Sequence, residues 1–183
     1  MDIFRGERIR LRAVEPADAD VHYLWNMDSD MSRNLDQVWF PGSRERQRRW
    51  AERSAIQEPA NDEFHFEIED LEGEAVGSIS THGCDRRVGC FSYGVAVRAE
   101  HQRRGYASEA ILLVLRYYFQ ELRYQKCTVH VHSDNEGSIR LHERLGFQQE
   151  GRLRRTVFTR GRHYDEFLYG LTVEEFEAAH PMQ

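Results

Sequence analysis

Three stretches of this 183-residue chain hold residue types at spacings that chemistry can use. The first is Gln102-Arg103-Arg104-Gly105-Tyr106-Ala107, which follows the β-rich run 91–97 and opens the amphipathic segment 107–122. A strand, a tight basic loop with one glycine and then a helix aim backbone N–H groups and a helix N-terminus at an anion. Gly105 lets the backbone come close to a phosphate, and Arg103 and Arg104 add charge-assisted donors. No Gly-Lys-Ser/Thr follows and the spacing is not GxGxxG, which sets the loop apart from both of those phosphate motifs. The second stretch runs from Asn135 through Ser138 and His142 to Gly146-Phe147, with Asn135 placed to cap a helix that Gly146 stops. The third is a loose set of proton carriers around the first: Tyr93 in the strand, His82 before it and Glu100 just ahead of the loop.

Elements that must hold these residues are legible on either side. Residues 8–14 alternate apolar and basic side chains, as a half-buried strand does. Pro16 suits a first helical position, so 17–25 reads as a helix, and Ser43 caps a second over 44–56. Residues 64–69 alternate, turn through Glu72-Gly73-Glu74 and return over 75–80, with 88–97 as the third strand of a meander. The helix 107–122 carries Ile111, Val114, Leu115 and Tyr118 as its apolar stripe. A strand over 127–132, the Asn135 helix and two strands around a turn at Gly161 follow. Thr172-x-x-Glu175 then forms a capping box for a short last helix. The expected architecture is α+β, a single domain over 1–183, in the order β-α-α-β-β-β-α-β-α-β-β.

Composition narrows the function. At 40% hydrophobic and 31% charged residues the chain is ordinary for a globular protein. A net charge of −6 disfavours a general nucleic-acid partner and suits a cationic substrate. No apolar run approaches the roughly 20 residues of a membrane helix, and the N-terminus lacks a signal-peptide core, so a cytoplasmic location with no membrane partner is expected. Cys84, Cys90 and Cys127 are scattered without metal spacing, which reads as small buried thiols with no metal site. The acidic residues Asp62, Glu63, Glu67, Glu69 and Asp70 suit either a cation or an alternately exposed hairpin. Arginines of the 44–53 segment suit either a ribosome-binding patch or, the favoured reading, a solvated helix face with interleaved glutamates.

Q-x-x-G-x-A after a strand resembles the acyl-CoA pyrophosphate loop of the GNAT superfamily of N-acetyltransferases. The segment Asn135 to Phe147 resembles that family's second signature, and 150–154 with 161–165 are similar to its ribosomal-protein N-terminal and spermidine acetyltransferase branches. The resemblance implies a mixed, mostly antiparallel sheet flanked by helices and splayed between strands four and five. It implies acetyl-CoA held by Gln102, Arg103, Arg104, Gly105, Tyr106, Ala107 and Ser108. The pantetheine arm then lies on the backbone of Val95, Ala96 and Val97, with Asn135 and Ser138 on its other side. Acceptors implied are a protein or peptide N-terminus or a small amine; the oligomeric state, a homodimer included, stays open.

Moving an acetyl group from a thioester to an amine needs a proton acceptor for the amine, donors for the oxyanion and a proton for the leaving sulfur. Direct transfer in a ternary complex is expected, with positioning as a large contribution. Many relatives carry tyrosine where this chain has His142, so His142 is the candidate acid. At a reference pKa of about 6.5 it is mostly neutral at pH 7 and is then a donor through one N–H. Tyr93, Glu100, His82 and a water chain are the candidate bases. The alternative class is a non-catalytic acyl-CoA-binding module.

Overall fold

Residues 8–14 alternate polar and apolar side chains, and in the computed structural model 9–12 form the edge strand of a seven-stranded hydrogen-bonded sheet. The structure describes residues 2–35 and 38–181. Strands run in the order β1-β2-β3-β4-β5-β7-β6. They are β1 (Ile9–Arg12), β2 (His65–Asp70), β3 (Ala75–Asp85), β4 (Cys90–Val97), β5 (Lys126–His132), β6 (Gln148–Thr159) and β7 (Arg162–Thr172). Helices are α1 (Ala19–Trp25), α2 (Ser29–Leu35), α3 (Arg44–Ile56), α4 (Tyr106–Arg116), α5 (Glu136–Arg144) and α6 (Val173–Ala179). Pairing is antiparallel for β1–β2, β2–β3, β5–β7 and β6–β7, and parallel for β4–β5. That parallel pairing is described for Cys90↔Lys126 and Phe91↔Cys127 alone, the short contact of a sheet splayed between strands four and five. The α+β class and strand arrangement expected from the resemblance are those observed.

The chain forms two compact units, Met1–Thr81 with Gly94–Val114, and His82–Tyr93 with Leu115–Gln183. In the first, Ile9, Leu11, Ile68, Val76, Ile79, Ala110, Ile111 and Val114 are buried. The alternation of β1 sends Arg10 and Arg12 the other way, where both bond Glu69 (2.7 and 2.5 Å) and Arg12 also forks onto Asp18 (2.8 Å twice). Burial alone raises the Asp18 pKa, but the hydrogen bonds and charge of Arg12 outweigh it and hold the carboxyl below its usual range. In the second unit the core is aromatic: Phe91 stacks on Tyr118 with centroids 4.0 Å apart, and Tyr124 meets both rings edge-on.

Gly77 is required by contact rather than by conformation. A Cβ there would stand 2.2 Å from the Ala96 carbonyl oxygen, a backbone atom that cannot swing aside. Gly77→Ala is expected to destabilise by about 3 kcal/mol, the upper range for overpacking, read as a lower midpoint of urea unfolding at unchanged slope. An unchanged midpoint would mean that β3 and β4 slide apart at no cost.

Several expected elements shift. Helix α2 falls where no helix is expected: seven residues without apolar periodicity, started by Asp28, whose Oδ1 accepts the N–H groups of Asp30 and Met31 (2.9 and 3.0 Å). The long helix expected to Leu122 is α-helical to Arg116 and continues as a π-helical turn, Tyr117–Glu121, which rotates Tyr118 and Phe119 inward. Strand β6 starts at Gln148 and bulges twice. Cys127 is buried, whereas Cys84 and Cys90 are only half-buried. Among the described residues no helix is long and apolar enough to cross a membrane.

Candidate active site

The phosphate loop is built by two left-handed residues. Arg103 (φ +60°) and Gly105 (φ +87°) turn the chain from β4 into α4, and at +87° glycine is the residue without a steric penalty. Gln102 fastens the loop to the strand end by donating from Nε2 to the Val97 carbonyl (3.0 Å). Within α4 the Glu109 N–H donates back to Gly105 O (3.0 Å). The N–H groups of the first turn before it lack a helical carbonyl and point out of the helix end. Residues 102–105 are exposed and 106–108 half-buried, so this end is open to a ligand. The loop fits a pyrophosphate by its donor set, its open end and the dipole of an eleven-residue helix.

One contributor was invisible in the sequence. Arg8, one residue before β1, lies across the loop, with its Cδ, Nε and Nη1 3.7–3.8 Å from where a Gly105 Cβ would be. Glu109 holds that segment in place by accepting the N–H groups of Glu7 and Arg8, the latter at 3.0 Å. A contact between residues a hundred positions apart has no signature in local spacing.

In the second unit Asn135 caps α5, its Oδ1 accepting the Ser138 N–H (3.0 Å), which leaves its amide nitrogen able to donate to a ligand. His142 is 3% exposed, one α5 turn further on. Its Nδ1 donates to the Ser138 carbonyl (2.8 Å) and lies 3.3 Å from the Ser138 hydroxyl. That bond fixes the tautomer: the neutral ring keeps its proton on Nδ1, and Nε2 presents a lone pair. Burial pushes the His142 pKa down, against the opposing pull of the Ser138 carbonyl, so the ring is neutral at pH 7. Its Nε2 is buried without a hydrogen-bond partner.

Tyr93 stacks on His142, centroids 5.9 Å apart and planes at 22°, and its hydroxyl is also buried and unpartnered. Burial drives the Tyr93 pKa far up, with the nearby Cys127 adding to it, so the side chain is a phenol that donates and does not take protons. Glu100 stands in a 3-10 turn at the surface, paired with Arg98, and its own backbone N–H leads the interactions that hold its carboxyl below the usual range. His82 is exposed on β3.

Residues 8–148 match the acetyltransferase (GNAT) domain family, more than three quarters of the chain. The chain belongs to the GNAT acetyltransferase family. It is 43% identical, over 96% of each chain, to the SPbeta prophage-derived uncharacterized N-acetyltransferase YokL of Bacillus subtilis. It is 27% identical to the spermidine N(1)-acetyltransferase of Vibrio cholerae over 87% of this chain and 90% of that one. The crystal structure of the Vibrio cholerae spermidine N-acetyltransferase with CoA and spermine superposes at a TM-score of 0.81 and 23% identity, covering 93% and 99% of the two chains. This GNAT protein is an acetyltransferase, and its family uses acetyl-CoA as the donor.

A second feature of the first unit was unforeseen: a cavity of about 420 Å³ lined by α1, the α2 region, α3 and the β2–β3 hairpin. All three tryptophans of the chain, Trp25, Trp39 and Trp50, line it. His22 is held between Trp25 and Trp50 (4.6 and 4.5 Å between centroids) and its Nε2 bonds Glu67 Oε1 at 2.6 Å. His65 Nε2 lies 3.5 Å from the same oxygen. The ligand atoms of His22, His65 and Glu67 all fall within 4.8 Å, close enough for a metal ion, although here the His22 nitrogen already faces the carboxylate as a donor. Burial raises the Glu67 pKa, and the bonds to His22 and His65 overcome that and leave it lowered, so the carboxylate is ionised. Its Oε2 is buried without a partner.

This burial changes the reading of the acidic segment. Asp62, Glu67, Glu69 and Asp70 are all buried; Glu69 serves Arg10 and Arg12, while Asp70 Oδ1 accepts the N–H groups of Glu72 and Glu74 in the hairpin turn. The surface cation trap and the alternately exposed hairpin both give way to structural pairing, with Glu67 the acid that keeps a free oxygen. The arginines of α3 divide as well. Arg48 and Arg49 pair with Glu45 and Glu52 on a solvated face, whereas Arg46 and Arg53 line the cavity with Trp50 and have no acidic partner among the described residues.

Proposed function

We propose that this protein transfers the acetyl group of acetyl-CoA to a primary amine by direct attack in a ternary complex. The observation that carries the reading is the loop at Gly105: left-handed backbone, open helix end and Arg8 across it, an anion cradle directly after the β4 backbone of Val95 and Ala96. In this reading the loop fixes the pyrophosphate, and the backbone of 95–97 lines up the pantetheine arm.

The proton for the leaving sulfur is assigned to Tyr93 rather than to His142 alone. Neutral His142 has its one N–H committed to Ser138 O, so it lacks the donor that the role requires. The buried Tyr93 phenol has a free O–H, and His142 packs behind it as a rigid aromatic support. Absence of a donor on His142 would favour the non-catalytic acyl-CoA module; the unpartnered Tyr93 hydroxyl supports the transferase reading instead.

The test is release of free CoA thiol from acetyl-CoA across polyamines, free amino acids, aminoglycosides and short peptides with free N-termini. Thiol release with any amine class, matched by an N-acetylated product in the mass spectrum, is the expected result. Silence across the panel from protein that binds acetyl-CoA would return the reading to a non-catalytic module.

A further inference from the structure

We propose that the tryptophan-lined cavity of the first unit is the acceptor site, and that it takes a primary amine carrying an apolar body and an anionic group, not a polyamine. The proposal rests on the acetyltransferase reading above for its chemistry, but the evidence for it is separate.

Placement comes first. Ser78 lines the cavity, pairs in register with Glu67 on β2, and follows Gly77, where an added Cβ would stand 2.2 Å from the Ala96 carbonyl oxygen. The cavity wall is therefore one residue from the β4 backbone assigned to the thioester arm. The volume of about 420 Å³ lies in the range of small-molecule sites and holds an amino acid or a dipeptide end.

The wall has two chemically distinct ends. At one, His22 and His65 stand in front of the ionised Glu67, with the Trp25 indole N–H buried and unpartnered beside them. A carboxylate behind imidazoles draws an ammonium and can take its proton. Glu67 occupies the Nε2 side of His22, so Nδ1 is the nitrogen left to accept. The reaction then balances: the amine nitrogen bonds to the acetyl carbon and the carbon–sulfur bond breaks. Of the two protons the ammonium gives up, one balances the proton delivered to the sulfur and one leaves through His22 to solvent.

At the other end Arg46 and Arg53 project from α3 at helical spacing around Trp50. Trp39 and Phe40, 66% and 93% exposed, continue the apolar wall beside them. Among the described lining residues there is no aspartate or glutamate, so at this end the second and third ammonium groups of a polyamine would meet the guanidiniums of Arg46 and Arg53. An anionic group instead finds a planar donor fork. A free amino acid and the acidic N-terminus of a peptide share this chemistry.

The three tryptophans make the cavity its own reporter. The full-length protein is titrated by intrinsic fluorescence with the dipeptide Phe-Glu, L-phenylalanine, phenethylamine and spermidine, and thiol release is followed with the same four. Phe-Glu or phenylalanine should bind at least tenfold more tightly than phenethylamine, with spermidine weakest; which of the two leads separates a peptide end from a free amino acid. In the double variant Arg46→Glu/Arg53→Glu, both sites being exposed, spermidine should overtake the anionic amines. Spermidine as the best ligand of the native chain, or equal loss of every amine in the double variant, overturns the proposal and leaves acetyl transfer standing. Tight binding of an anionic amine without thiol release overturns the transferase reading instead. No fluorescence change with any of the four overturns the assignment of the cavity.

Discussion

Gly105→Asp abolishes measurable acetyl-CoA binding, by calorimetry, while the thermal midpoint falls by only a few degrees. Two effects add. At φ +87° a Cβ forces the loop backbone out of its left-handed turn, a strain of about 1–2 kcal/mol. The new carboxylate also sits where the phosphate belongs, next to N–H groups and beside Arg8, which it would neutralise. Losing even two charge-assisted bonds of about 1.5–3 kcal/mol each, before any repulsion, weakens binding by 10² to 10⁴-fold. The position is exposed and a Cβ there meets nothing closer than 3.7 Å, so the fold tolerates the change. Tight binding by this variant would place the pyrophosphate elsewhere and remove the observation on which the proposed function stands. Arg8→Ala is the graded companion: it should weaken acetyl-CoA binding more than binding of acetyl-pantetheine, which carries no phosphate, since it removes one cation and no backbone donor.

Local chemistry explains what the sequence made legible. The Asn135 cap, the Thr172 capping box, the Ser43 cap and the Gly146 stop are decided within four residues, and each is present. The apolar stripe Ile111, Val114 and Leu115 is fully buried because its period matches the helix that carries it, and the π-helical turn after Arg116 buries Tyr118 as well. What stayed hidden depends on distance along the chain. Glu67 reads as one of several acids in an alternating strand; only the fold shows that Arg10 and Arg12 claim Glu69 while α1 brings His22 onto Glu67. The cavity needs α1, α3 and the β2–β3 hairpin together, and no single segment announces it. His142 is a different case. Its position was readable, but its tautomer is set by a backbone carbonyl four residues back, which turns an expected donor into an acceptor.

That reversal makes Tyr93→Phe the variant with the most to decide. The Tyr93 hydroxyl is buried and has no partner, so in a protein built for stability alone it is a defect. Removing it takes away an unsatisfied polar group and leaves the ring stacked on His142, so stability should hold or rise slightly. Turnover should nonetheless fall tenfold or more, the usual size of a general-acid contribution, with KM for acetyl-CoA little changed. The two readouts move in opposite directions only if the hydroxyl is kept for chemistry. His142→Ala should also lower turnover tenfold or more, but with a loss of stability, because a 3% exposed ring leaves a hole behind it. If the phenol acts and the imidazole supports it, the double variant loses little more activity than Tyr93→Phe alone. A phenylalanine variant with full turnover would leave the sulfur to solvent protons and return Tyr93 to the aromatic core.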